Sequence, residues 1–113
     1  MICALSISAF AEPHIQKNFS LTFQGCTYTP LIKKSDDVSF ATVRFTNIYG
    51  SDTITVAICD SNHRPVSETI TISEKPDSKY DIEYSQLTYK GNSYCLRICS
   101  GNYYTTVSGS WTP

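Results

Sequence analysis

No window of a dozen residues in this sequence repeats apolar side chains at helical spacing, so no amphipathic helix is predicted. No apolar run approaches the roughly 20 residues that a membrane-spanning helix needs. The longest basic run is Lys33-Lys34, and nine Lys and Arg against ten Asp and Glu give a formal net charge of −1. That balance lacks the cationic footprint of a nucleic-acid binder. Phosphate-cradling glycine loops, H-E-x-x-H and G-x-S-x-G are all missing. Charged residues make up only 17% of the chain, too few for disorder driven by self-repulsion. A chain of 113 residues suffices for one domain around one modest core.

What is present is strand after strand. Phe19, Leu21 and Phe23 alternate with Ser20, Thr22 and Gln24, the period of a half-buried strand, until Gly25 breaks it. Cys26 to Ile32 reads as a second extended piece, with Pro30 marking an edge or bulge. Lys33 to Asp37 is a polar turn. From Val38 to Ile48 the rows Ala41-Val43-Phe45 and Phe40-Ile48 alternate imperfectly, which predicts a bulge or burial on both faces. Ile54, Val56 and Ile58 form an inward row, then Ile70 with Ile72, then Tyr80, Ile82 and Tyr84. Tyr94, Leu96 and Ile98 lead into a short hairpin at Ser100-Gly101-Asn102 and a closing strand bearing Val107 and Trp111. Seven or eight short strands with frequent turn signals predict an all-β, two-sheet antiparallel sandwich over 19–113.

The first eleven residues carry no charge and end in Ala9-Phe10-Ala11, a small-x-small cleavage pattern before Glu12-Pro13. They read as the back half of a secretory signal, with 12–18 as a flexible lead-in and a secreted mature chain. Cleavage removes Cys3 and leaves Cys26, Cys59, Cys95 and Cys99, an even set expected to form disulfides. Cys95 and Cys99 lie four residues apart on one strand, about 13 Å, too far to bridge each other. Cys26 and Cys59 are therefore the expected partners, one to each.

Chemistry is sparse. His14 falls in the lead-in. His63 sits in Asp60-Ser61-Asn62-His63-Arg64-Pro65, where a single connector cannot set acid, base and nucleophile in line. Cys59 with His63 lacks the knuckle spacing of a zinc site, so no metal or other cofactor is expected. Asp36-Asp37 and Asp81 with Glu83 are paired carboxylates. The second pair has glycosidase-like spacing but reads as outward charges on an exposed strand. Asp77, Asp81 and Glu83 lack the loop pattern of a calcium site. No catalytic residue is assigned and an enzyme is not expected. Surface aromatics remain: Tyr49, Tyr89, Tyr103 and Tyr104 are the candidate ligand-binding residues, since an exposed Tyr offers a flat apolar face and a hydroxyl.

Gly91-Asn92-Ser93-Tyr94-Cys95-Leu96-Arg97-Ile98, followed by a tight hairpin and a closing strand, resembles the end of immunoglobulin-like and fibronectin type III domains. The tail Val107–Pro113 is similar to those of small, uncharacterised exported sandwich proteins of Gram-positive bacteria. No Trp lies between Cys26 and Cys59 or between Cys59 and Cys95, unlike antibody-type domains, and no activity carries over from sandwiches of such varied function. The expected function is a non-catalytic secreted binding module for an extracellular glycan or protein. The alternative is a small secreted effector, a bacteriocin-like toxin or protease inhibitor, using the loops Tyr49–Asp52 and Asp60–Pro65.

Overall fold

Seven strands follow one another in the computed structural model: β1 (Lys17–Tyr28), β2 (Ile32–Lys33), β3 (Phe40–Tyr49), β4 (Ile54–Asp60), β5 (Ile70–Ile72), β6 (Ser78–Glu83) and β7 (Ser93–Thr112). The structure describes residues 16–51, 53–73 and 78–113, apart from the side chains of Ser78, Asn102 and Tyr103. The expected signal segment 1–11, Cys3, His14 and most of the lead-in lie outside those residues, as does Asp52. Among the described residues there is no helix. β1 begins at Lys17, earlier than expected, because Lys17 and Asn18 already pair with Trp111 and Ser110.

All the strands join one antiparallel network rather than the two separate sheets expected. Its axis is β7. Along one edge β7 pairs with β1 and β2; along the other it pairs first with β4 and then with β3. β5 extends the β4 arm and β6 extends the β3 arm. The arms meet again where Ser67 bridges Tyr84 and the Ser85 N–H donates to the Val66 carbonyl at 2.9 Å. The result is a nearly closed, barrel-like sheet around one core.

The expected hairpin at Ser100-Gly101-Asn102 is absent, because β7 continues in the same direction. The register shows why those residues still carry turn chemistry. Gln24 faces Tyr104 and Cys26 faces Cys99, so Gly25 alone stands opposite the four residues from Ser100 to Tyr103. Three extra residues, an odd number, swap the faces of β7. Tyr94, Leu96 and Ile98 point inward before the excursion; Thr105, Val107, Gly109 and Trp111 do so after it. Gly101 takes φ +76° there, with open space around it, so its backbone conformation is what favours glycine.

The alternations elsewhere fill the core as expected. Val43, Phe45, Val56, Ile58, Leu96, Ile98 and Val107 are fully buried. The bulge predicted in β3 lies between Phe45 and Asn47, and it returns Ile48 to the core side opposite Val107. Where ladder partners run out, side chains replace them. The Leu96 N–H donates to Thr29 Oγ1 at 2.9 Å and the Ile58 N–H donates to Ser67 Oγ at 2.8 Å.

The polar turn expected at Lys33 to Asp37 departs most from expectation. Lys33 ends β2, and the Lys34 side chain is fully buried. Its Nζ donates to the Val38 carbonyl at 2.8 Å, lies 3.4 Å from Asp36 Oδ1 and sits 4.9 Å from the centre of the Tyr84 ring. A buried ammonium needs such partners, and the aromatic face supplies one where no oxygen is available. The Lys34 backbone meanwhile ties to the 84–92 loop through Asn92 and Gly91, at 2.8 Å each.

Candidate functional site

β7 divides the outer surface into two regions of different chemistry. Beyond the excursion, its outward residues are Tyr104, Thr106, Ser108, Ser110 and Thr112. β1 lays Gln24, Thr22, Ser20 and Asn18 beside them; β3 adds Tyr49, Asn47 and Arg44 on the other flank. Hydroxyls meet across the strands, Thr22 with Thr106 at 3.0 Å and Ser20 with Ser108 at 3.2 Å. The β6 edge closes this face with Lys79 and Asp81, the latter accepting a hydrogen bond from Thr42 Oγ1 at 3.0 Å.

Two of the four candidate tyrosines come together at one end of this face. Tyr49 is opposite Thr106, and Tyr104 is two residues along β7 on the same side. That diagonal spans about 7–8 Å, within reach of two aromatic rings. Both are strongly exposed, Tyr49 at 64% and Tyr104 at 71%. Gly50 lets the chain turn here: a Cβ at that position would overlap the Tyr104 carbonyl oxygen. Beside the pair, β3 and β4 separate around β7 and leave an open groove of about 710 Å³. Ile48 and Tyr49 form one wall, Ile54 and Thr55 the other, with Cys99–Gly101 as the floor.

The other two candidates do not join them. Tyr89 is exposed but belongs to the loop preceding β7, where its N–H donates to the Tyr94 hydroxyl at 3.2 Å. Tyr94 and Tyr104 are ten residues apart, three of them taken up by the excursion, so about seven strand steps, roughly 23 Å, separate them. The Tyr103 side chain lies outside the described residues. Sequence reading missed the hydroxyl row, although the alternation Tyr104, Thr106, Ser108, Ser110 opposite Thr105, Val107, Gly109, Trp111 carries its signal.

The second outer region, before the excursion, holds the four cysteines. Cys26 and Cys99 form a disulfide with Cα atoms 4.0 Å apart, while Cys59 and Cys95 are free and buried. Four bridged cysteines were expected, and strand register explains the difference. The Leu96 N–H and C=O point toward β1, bonding Thr29, so those of Cys95 and Cys99 point toward β4. Cys99 therefore meets Cys26 as a non-hydrogen-bonded pair, the register that brings side chains closest. Ile58 points its N–H and C=O toward Ser67 and Val66, so Cys59 points its own toward β7 and meets Cys95 as a hydrogen-bonded pair. There Cβ atoms stand about 5.5 Å apart, beyond the roughly 3.5–4.5 Å a disulfide needs. Burial pushes both thiols up, Cys95 to about 11, with Arg97 partly offsetting the effect at Cys59.

The Asp60–Pro65 connector is a built turn. Asp60 Oδ1 accepts from the N–H groups of Asn62 and Arg64 at 2.8 and 3.0 Å, and the His63 N–H donates to the Asp60 carbonyl at 2.9 Å. His63 adopts φ +63° and stacks its ring on Tyr28, with centroids 3.8 Å apart. The Arg64 N–H, above all, holds the Asp60 carboxyl below its ordinary 3.8. A depressed carboxyl contributes stability above its unfolded value and loses it as pH falls through the folded one. The turn is thus expected to hold above about pH 3.8 and loosen below it. An NMR titration should show the Asn62 and Arg64 amides moving together in that acid range; amides unchanged there would contradict the assignment.

No protein-family model matches the chain, and no curated protein matches it. Among solved structures it is similar to a subunit of Bacillus endospore appendages, described as a family of disulfide-linked pili. That likeness has 12% identity over 87% of this chain and 83% of that one, with a TM-score of 0.48. It is similar also to the periplasmic inhibitor of g-type lysozyme from Aeromonas hydrophila, at 13% identity over 89% and 86%, TM-score 0.47. A cupin domain of Drosophila melanogaster CENP-C matches at 7% identity over 85% and 59%, TM-score 0.37. Likenesses this distant carry no argument about activity.

Proposed function

We propose that this chain is a non-catalytic, secreted binding module whose outer β1–β7–β3 face takes an extracellular glycan. The observation that carries the reading is the pairing of Tyr49 and Tyr104 beside an open groove and a row of hydroxyls. Exposed aromatic rings stack on the apolar faces of sugars, and Ser, Thr and Asn side chains offer both donors and acceptors to sugar hydroxyls. A protein partner fits this face less well, since the cores of protein interfaces are depleted in Ser. The disulfide supports the compartment, because such bonds persist chiefly in oxidising surroundings. In the same reading, the β5–β4 and β6–β3 arms act as two layers of a sandwich, with β1 and β7 running through both. An immunoglobulin-like strand order would require the last hairpin, which β7 lacks.

Affinity electrophoresis in gels carrying soluble cell-wall polysaccharides tests the proposal. The chain should be retarded by at least one of them, and Tyr49→Ala or Tyr104→Ala should each weaken retention about tenfold, the loss of some 1.4 kcal/mol. Tyr89→Ala should leave it unchanged. Equal retention of all three variants would remove the tyrosine face from the site.

A further inference from the structure

The buried thiols on the other outer region have no place in glycan binding, and their geometry suits a different ligand. Cys59 and Cys95 are directly opposite on β4 and β7, both with no exposed surface. Their hydrogen-bonded register holds the Cβ atoms too far apart for a sulfur–sulfur bond of about 2.05 Å. A metal held between them would need less approach: two metal–sulfur bonds of about 2.3 Å in line place the sulfurs roughly 4.6 Å apart. Zinc would need four ligands, whereas the described residues contain no cluster of three or more His, Cys, Asp or Glu. Soft monovalent ions are satisfied by two thiolates, and thiolate sulfur selects them over hard cations.

We propose that Cys59 and Cys95 form a two-coordinate site for a thiophilic monovalent ion such as Cu(I), with Arg97 as its counter-charge. On binding, each thiol releases its proton to solvent and each sulfur donates one electron pair to the ion. No electron changes hands, so the step needs no oxidant or reductant. The bis-thiolate complex carries one negative charge. Arg97 stands opposite Ala57, on the same face between Cys95 and Cys99, and brings a positive charge to that face. The Cys26–Cys99 disulfide supplies no ligand, so the stoichiometry is one ion per chain.

The test uses the full chain with Cys3→Ser, the Cys26–Cys99 bond intact, titrated without oxygen with Cu(I) delivered as its acetonitrile complex. The expected result is one equivalent bound, with X-ray absorption reporting two sulfur neighbours. Cys59→Ala and Cys95→Ala should each weaken binding by more than the roughly 10–100-fold lost with outer-shell partners. Because either variant could lose its fold, the sulfur count on the loaded Cys3→Ser chain decides independently. No uptake by the folded chain, a sulfur count other than two, or folded single variants that still bind tightly would overturn the proposal. So would a Cys59–Cys95 disulfide found by peptide mapping after exposure to air.

Discussion

Replacing Cys26 and Cys99 together with serine is expected to lower the unfolding free energy by about 4 kcal/mol in the chain-entropy account of a long closed loop. The two residues lie 73 apart in sequence, so the bond removes a large share of the open conformations of the unfolded chain. It also fastens β1 to β7 just before the excursion that leads to Tyr104, and Cys99 forms part of the groove floor. Urea unfolding of the double variant should show the loss as a lower midpoint with an increased slope, because the uncrosslinked chain exposes more surface. Reduction of the native protein should reproduce it. A loss below about 1 kcal/mol would mean the bridge contributes little restraint on the unfolded chain. If the proposed glycan face holds, retention measured on the folded fraction should fall less than it does in Tyr104→Ala, since in that proposal the tyrosine makes the contact and the disulfide only steadies the strand.

Gly109→Ala is expected to cost about 3 kcal/mol, the upper end for overpacking a closed core. Gly109 faces Phe19 on β1 and Phe45 on β3, and those two rings pack edge to face across it with centroids 5.5 Å apart. A Cβ there would overlap the Arg44 carbonyl oxygen and come within 3.0 Å of the Phe45 Cα. Both obstacles are backbone, so no rotamer change relieves them and β3 must move off β7. That motion strains the β3 bulge and displaces Arg44, Asn47 and Tyr49 on the outer face. Thermal unfolding followed by near-ultraviolet circular dichroism should show a large drop in midpoint with disturbed aromatic signals. A midpoint close to that of the native protein would show that β3 yields cheaply and that its packing on β7 does not hold Tyr49 in place.

Legibility in the sequence followed the periodicity. Ile54, Val56 and Ile58, and Tyr94, Leu96 and Ile98, point inward as their spacing requires, because a strand buried on one face leaves no other arrangement. In β3 the rows Ala41-Val43-Phe45 and Phe40-Ile48 left a bulge and burial on both faces open, and the register shift between Phe45 and Asn47 decides for the bulge. Ser100-Gly101-Asn102 was ambiguous for a physical reason. Glycine with small polar neighbours serves a hairpin and a bulge alike, and only the pairing of both halves of β7 with the same β1 distinguishes them. Lys34 was invisible: its neighbours Lys33, Ser35, Asp36 and Asp37 read as solvent-loving, while the Tyr84 ring beside its ammonium comes from a distant segment.

The sequence by itself determined the all-β class, the inward rows, and the want of catalytic and nucleotide-binding motifs. These are local properties, set by side-chain period and residue chemistry. The tertiary structure alone decided which tyrosines meet, which cysteines bond and which lysine is buried. Each depends on register between strands distant in sequence. A shift of one residue turns a side chain to the opposite face, and the parity of backbone hydrogen bonding decides whether two facing thiols come within bonding distance. No local pattern records that parity. It is fixed only when β1, β4 and β3 have all closed on β7.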